Sequence, residues 1–428
     1  MDAGQLAAAL RGILGPVTVA DVTRMTGGAS RETWAFDAVG ADGSRTALVL
    51  RRDPPGRPGE PGSMSREADA IGAARAAGLA VPEVLLSTDD PDLWGSAGLV
   101  MRRVPGETIA RRILRDDTYR RAREVLAGQL GTFAAGLHAL RPPAGLAVTD
   151  PVQDLRATYG TFGQRSEVFE LAFAALEASP PPARGPVIVH GDLRLGNLIV
   201  GPESLRAVLD WELVHAGNPA EDLGWLCVRA WRFGAGPPVA GVGARDELLA
   251  AYRAAGGADI SLDELRWWEI LGTLRWGVIC MAQAQAHLSG AHRSVELAAI
   301  GRRACEQEWD LLLLLAPDDA ARAAATRPRP SGDGLPAPAP HGRPTASELL
   351  DAVRGFLTDQ VMPATDGQLA FHARVAANVL GIVAREIELG PIPSAEDGLT
   401  DLAGLARHVA AKLAVANPRY FGGPASGT

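Results

Sequence analysis

His190-Gly191-Asp192, then Asn197, then Asp210-Trp211-Glu212 stand close together along the chain. They offer an acidic base, an amide oxygen and two further carboxylates. Phosphoryl transfer from a nucleotide needs such a set, because positioning and charge neutralisation supply most of its catalysis. Asp192 would orient an acceptor hydroxyl and take its proton. Asn197 can ligate Mg2+ without adding negative charge, and Asp210 offers a harder carboxylate ligand. Glu212 would complete the metal shell, position its water, pair with a nearby base or face solvent. His190 reads as an organiser of the loop and its neighbouring carboxylate, the alternative being a general base. Arg194 would neutralise charge on the transferring phosphoryl group or serve a surface role.

These residues need elements that bring them together. The apolar runs Val187–Val189, Leu198–Val200 and Ala207–Leu209 read as short strands. If the last two pair antiparallel, Asn197 and Asp210 meet at one end of the pair. Asp222, after Pro219-Ala220-Glu221, is expected to cap the next helix and tie it to the catalytic loop. Trp225, Trp231, Trp267, Trp268 and Trp276 would pack helices or line an acceptor pocket.

A phosphate end is legible upstream. Gly27-Gly28-Ala29-Ser30 lies between two strand candidates, where small residues let backbone amides approach phosphate oxygens and Ser30 adds a hydroxyl. Arg51 ends a third strand, and Glu67 on the following helix can hold its guanidinium in place; the alternative is a solvated charged pair. Strand alternation turns either Arg51 or Arg52 outward. Met101, in the strand at 99–103, is taken as a further nucleotide contact. Neither a GxxxxGK sequence followed by Ser or Thr nor a dinucleotide-binding GxGxxG is present.

The wider pattern is α+β. A helix near 3–14 and strands at 22–25, 33–39, 46–51, 84–87 and 99–103, with a helix at 65–77, predict a five-stranded antiparallel sheet. After Pro105-Gly106 helices dominate, at 117–140, 164–178, 220–232, 244–255, 261–289 and 291–315. Residues 323–344, rich in Pro, Gly and Ala, read as a linker. The domains are accordingly expected at 1–104, 105–322 and, beyond that linker, 345–428, the last a helical module.

Composition narrows the function further. The 428 residues are 47% hydrophobic with mean hydropathy +0.03, as in globular chains. Leu311–Ala316 is far too short to span a bilayer, and the first helix lacks the features of a secretory signal, so cytoplasm is the expected location, with no membrane partner. A net charge of −8, from 42 basic and 50 acidic side chains, leaves no nucleic-acid footprint. Cys227, Cys280 and Cys305 have no metal-ligand spacing and read as buried small side chains. Without His/Cys clusters, zinc chemistry is not expected.

The stretches HGDLRLGNLIV (190–200) and VLDWELVHAGNPAEDLGWL (208–226), with GGASRETW (27–34), LVLRR (48–52) and READAI (66–71) in order, resemble the aminoglycoside phosphotransferase and choline-kinase-like superfamily over about residues 15–320. The resemblance implies a two-lobed protein-kinase-like fold, a small antiparallel-sheet lobe and a larger helical one, with ATP between them. It also implies Asp192 as catalytic base and Asn197 with Asp210 as Mg2+ ligands. Arg51 stands where the family often has Lys, and guanidinium is a wider, planar donor. Arg31 replaces an Asn common in the first loop, and Asn218 replaces the Asp of the usual GDP segment. VLRR and VLDWE look closest to the branch related to kinase-like domains found with acyl-CoA dehydrogenases, which points to a hydroxyacyl-CoA or another small hydroxylated metabolite as acceptor. The region from about 345 to 428 resembles a poorly characterised helical domain that follows such kinase-like domains. Its Ala/Leu-rich faces suggest a homodimer. The competing readings are a nucleotide-responsive scaffold that recruits a partner, and a protein kinase.

Overall fold

The structure is a computed structural model that describes residues 1–25, 31–54, 59–60, 62–91, 93–143, 145–146, 148, 150–328, 344–391 and 401–421. It divides into two compact units. The first joins Met1–Thr149 with Pro181–Glu269, and the second joins Asp150–Pro180 with Ile270–Thr428.

The first unit opens with α1 (Ala3–Leu14), β1 (Val17–Arg24), β2 (Glu32–Gly40), β3 (Arg45–Arg52), α2 (Ser63–Ala76), β4 (Val84–Thr88) and β5 (Gly98–Arg102). The strands form an antiparallel sheet in the order β1-β2-β3-β5-β4. Alternation sorts its two faces. Leu48, Leu50, Phe36 and Val100 pack with Leu6 and Leu10 of α1. Val49, Leu99 and Met101 pack instead with Met64 of α2. Arg51, two residues beyond Val49, therefore falls on the α2 face. Arg52 falls on the other, where it bonds Glu32 and the Trp94 carbonyl.

The chain continues through α3 (Ala110–Arg115), α4 (Arg120–His138), α5 (Pro151–Gly160) and α6 (Glu167–Ala178). Short strands β6 (Val187–Val189), β7 (Leu198–Val200), β8 (Leu205–Val208) and β9 (His215–Gly217) follow, then α7 (Ala220–Cys227) and α8 (Arg245–Ala254). β6 pairs with β9 and β7 with β8, both antiparallel. α9 (Leu262–Leu288) carries the chain from the first unit into the second.

In the second unit the single helix expected over 291–315 is two, α10 (Val295–Gly301) and α11 (Ala304–Leu315). Gly301 ends α10 beside Ala284, whose side chain would lie 2.5 Å from any added Cβ. Likewise the helix expected over 220–232 ends at Cys227 and resumes as a 3-10 turn at Arg229–Arg232. α12 (Pro317–Ala325) occupies the start of the expected linker, and residues 329–343 of that linker lie outside the described ones. α13 (Ala346–Phe356), with a Thr345/Glu348 capping box, α14 (Gly367–Leu389) and α15 (Leu402–Ala416) form a helical C-terminal subdomain.

The fold expected from the sequence is thus present: α+β and two-lobed, with a small antiparallel-sheet lobe, a larger helical lobe and additional C-terminal helices. Among the described residues, no helix is long and apolar enough to cross a membrane. The three cysteines are buried, and burial pushes each thiol up to about 12, away from reactivity.

Candidate active site

The turn after β6 is held from beneath. Asp222, in the first turn of α7 and fully buried, accepts hydrogen bonds from the His190 amide at 2.8 Å and the Gly191 amide at 3.0 Å. It does not cap α7, as the sequence suggested; its bonds to the loop are the tie. His138 of α4 places Nε2 3.3 Å from the same carboxylate, and its Nδ1 lies 2.9 Å from the Tyr252 hydroxyl of α8. Burial alone would push the Asp222 carboxyl up, but these donors, His138 foremost, hold it below the usual range. Gly191 has φ +80°, and a Cβ there would meet the Leu213 carbonyl at 2.4 Å, so the turn requires glycine. His190 is committed on both nitrogens: Nδ1 accepts the Asp192 amide, and Nε2 lies 3.0 Å from the Leu209 carbonyl. It organises the loop.

Asp192 is aimed by three side chains. Trp225 Nε1 donates to Oδ1 at 2.8 Å, Asn197 Nδ2 to Oδ2 at 2.6 Å, and Arg194 Nε reaches both oxygens at 2.9 and 3.1 Å. Arg194 also stacks 4.7 Å over the Trp231 ring. The β7–β8 pairing, extended by a bond from the Leu209 amide to the Asn197 carbonyl at 2.8 Å, brings Asn197 and Asp210 to one end of the hairpin. Asp210 has φ +68°, a left-handed conformation that Asp tolerates better than most side chains. Buried Trp211 anchors the next position through the Val208 carbonyl.

Arg51 donates to Glu67 at 2.8 Å and to Asp210 at 2.6 Å, and lies 3.7 Å from Glu212. Glu67, almost wholly buried, also accepts from Arg31, which in turn lies 3.3 Å from Asp53. Burial opposes ionisation of Asp210, but adjacent Arg51 outweighs it and holds the carboxyl below its ordinary value. Burial likewise opposes the charge on Arg51, which Asp210, Glu67 and Glu212 more than restore, raising its pKa.

The structure therefore gathers Asp192, Arg194 and Asn197 into one set, and Arg51, Glu67, Asp210 and Glu212 into another. Met101 lies on the sheet face of Arg51, packed with Met64 and Leu99. Gly28 and Ser30 lie outside the described residues. Sequence reasoning missed the bond from Trp225 to Asp192, the contacts of Arg31, and the support from His138 and Tyr252. Only Trp225 carried a local signal, its place three residues after Asp222 on the same helix.

Among the described residues there is no group of three or more His, Cys, Asp or Glu side chains arranged to hold a metal. The donors available are the Asp210 carboxylate and the Asn197 amide oxygen, whose nitrogen is engaged by Asp192. One carboxylate and one amide make a poor cage for a bare ion. They fit Mg2+, which commonly completes its shell with phosphate oxygens and water.

A sequence profile described as the phosphotransferase enzyme family matches residues 21–268. The chain belongs to that family. A second profile, a domain of unknown function (DUF6285), matches residues 363–407 of this phosphotransferase-family protein, a range that takes in α14 and the start of α15. Among curated proteins, acyl-CoA dehydrogenase family member 11 of Gallus gallus is 30% identical over 230 residues, covering 49% of this chain and 28% of that protein. The Rattus norvegicus protein of the same name is 26% identical over 304 residues, covering 64% of this chain and 38% of the relative. The chain thus spans well under half the length of these relatives. A crystal structure assigned as a candidate aminoglycoside phosphotransferase from Ralstonia eutropha aligns with a TM-score of 0.56 at 21% identity, over 72% of this chain and 96% of that one; the likeness is one of fold.

Proposed function

We propose that this member of the phosphotransferase family is an ATP- and Mg2+-dependent small-molecule kinase that phosphorylates a hydroxyl group. The observation that carries the reading is the Asp192 carboxylate, fixed by Trp225, Asn197 and Arg194 on a loop that Asp222 holds from below. A carboxylate offers about four acceptor positions. Trp225, Asn197 and the Arg194 Nε that spans both oxygens make four contacts, so Arg194, on turning to the phosphoryl group in transit, would free Asp192 to accept the proton of an acceptor hydroxyl as its oxygen attacks. Asn197 and Asp210 would hold Mg2+, with Glu212 beside them, and bound Mg2+ would neutralise charge on the phosphate oxygens. Arg51, held by Glu67, would bind the phosphates, and Arg194 would face the group in transit. Gly28 and Ser30 would contact the phosphates, and Met101 would line the nucleotide side.

For the acceptor we favour a hydroxyacyl-CoA or a comparable hydroxylated metabolite. The matches to acyl-CoA dehydrogenase family members support this class. The purified protein should transfer labelled γ-phosphate to an acceptor from a panel of hydroxyacyl-CoA thioesters, sugars and amino alcohols. Equal transfer by wild type and Asp192→Asn would sink the mechanism, and turnover confined to sugars or amino alcohols would sink the acyl-CoA choice. We further propose that α13 pairs two copies of the chain. It has no buried residue and exposes Leu349, Val353 and Phe356 at helical spacing.

A further inference from the structure

Two guanidiniums share one buried carboxylate in the nucleotide half of the site. Arg51 Nη1 takes Glu67 Oε1 at 2.8 Å, and Arg31 Nη1 takes Glu67 Oε2. Their other partners differ in depth. Arg31 Nε lies 3.3 Å from Asp53, whose side chain is 5% exposed, and that carboxylate also accepts the Gly59 amide. Arg51 Nη2 instead reaches Asp210 at 2.6 Å and lies 3.7 Å from Glu212, and these side chains are 26% and 25% exposed. Arg31 also lies 3.9 Å from Glu212, but its two nearer partners are both deep, whereas Arg51 has a deep partner on one side only. Its outward partner is the carboxylate that the proposed function gives to a cation.

Resting on that function, we infer that Arg31 is a positioning residue of the nucleotide site. It neutralises and orients Glu67, so that Arg51 is free to exchange Asp210 for a phosphate oxygen. Buried beside a single cation, Glu67 would bind Arg51 more strongly and withhold its charge from the phosphates. With Arg31 on the second oxygen, the carboxylate plane is fixed and half its demand is met. A lysine at position 31 would restore the charge but not the fork that reaches Glu67 and Asp53 together.

The test is titration of Mg·ADP into the full-length wild type, Arg31→Ala, Arg31→Lys, Glu67→Gln and the double variants Arg31→Ala/Glu67→Gln and Arg31→Lys/Glu67→Gln, with ligand-free melting curves run in parallel. Arg31→Ala should weaken binding about tenfold, the scale of one charge-assisted hydrogen bond, and Arg31→Lys should recover part of it. In the Glu67→Gln background the same replacement should cost less than about twofold, because the charge that Arg31 offsets is gone. Wild-type affinity in Arg31→Ala, or an equal loss in both backgrounds, would overturn the inference while leaving the kinase reading intact. No binding of Mg·ADP by the folded wild type would overturn both. If Arg31→Ala does not fold, Arg31→Lys in the two backgrounds decides the matter, since a purely structural arginine would not couple its ligand affinity to Glu67.

Discussion

Two groups of acids in this protein are alike in composition and different in how they are paired. On α11, in the second unit, Glu306, Glu308 and Asp310 are all buried. Each meets a partner delivered by α15 or the turn after it: Asn417 bonds Glu306, Lys412 bonds Glu308, and the Tyr420 hydroxyl bonds Asp310 at 2.7 Å. Ser166 adds a second donor to Glu308. In the first unit, Asp192, Asp210 and Glu212 are only partly covered, and Asp210 and Glu212 share Arg51, with Arg31 also 3.9 Å from Glu212. A pocket of about 1100 Å3 borders the first group, lined by Glu308, Lys412, Phe169 and Met281 among others, and shares no residue with the second. Acids that each have donors of their own, as Glu306 also has Arg303, hold helices together, even beside a cavity. Acids that share a cation can exchange it, and exchange is what the proposed kinase reading requires of them.

The comparison breaks most visibly at Asp192. Asp192→Asn should lower kcat per folded molecule on the order of 10^2- to 10^4-fold in the labelled-phosphate assay. A comparable loss of turnover from a change on α11 would erase the distinction. Glu308→Ala should do the reverse. It removes the buried member of a pair whose Lys412 is one-third exposed, so it should cost about 2 kcal/mol of unfolding free energy, less than a fully buried pair, with kcat per folded molecule kept. Denaturant titration beside the activity assay checks both halves.

Acid pH sharpens the contrast at Asp210 and Asp222, whose folded carboxyl pKa values are depressed. Their stabilisation is complete above the unfolded value of about 3.9 and is lost as pH falls through the lower folded value. Unfolding free energy measured from pH 5 to pH 3 should therefore fall, and Asp210→Asn should flatten that limb by removing one contribution. An unchanged acid limb in Asp210→Asn would contradict the Arg51 pairing. The smallest energetic effect belongs to α13. Val353→Asp, at a half-exposed site, should change stability by less than about 0.5 kcal/mol yet shift the solution mass from dimer to monomer. A monomeric wild type would remove the proposed pairing.

What the sequence by itself determined was mostly local. Runs of apolar residues marked β6 and β7 at their observed bounds, alternation sent Arg51 and Arg52 to opposite faces, and the turn chemistry at His190-Gly191-Asp192 announced a tight loop after β6. Neighbouring residues decide such features, so neighbouring residues reveal them. Even the approach of Asn197 to Asp210 was legible, because a short hairpin fixes its own register. Only the tertiary structure decided which distant groups serve them: that Asp222 holds the loop instead of capping α7, that Trp225 donates to Asp192, that Arg31 shares Glu67 with Arg51, and that α10 and α11 part at Gly301. Each of these depends on a surface supplied by another element, and a residue's own neighbours carry no record of what packs against it.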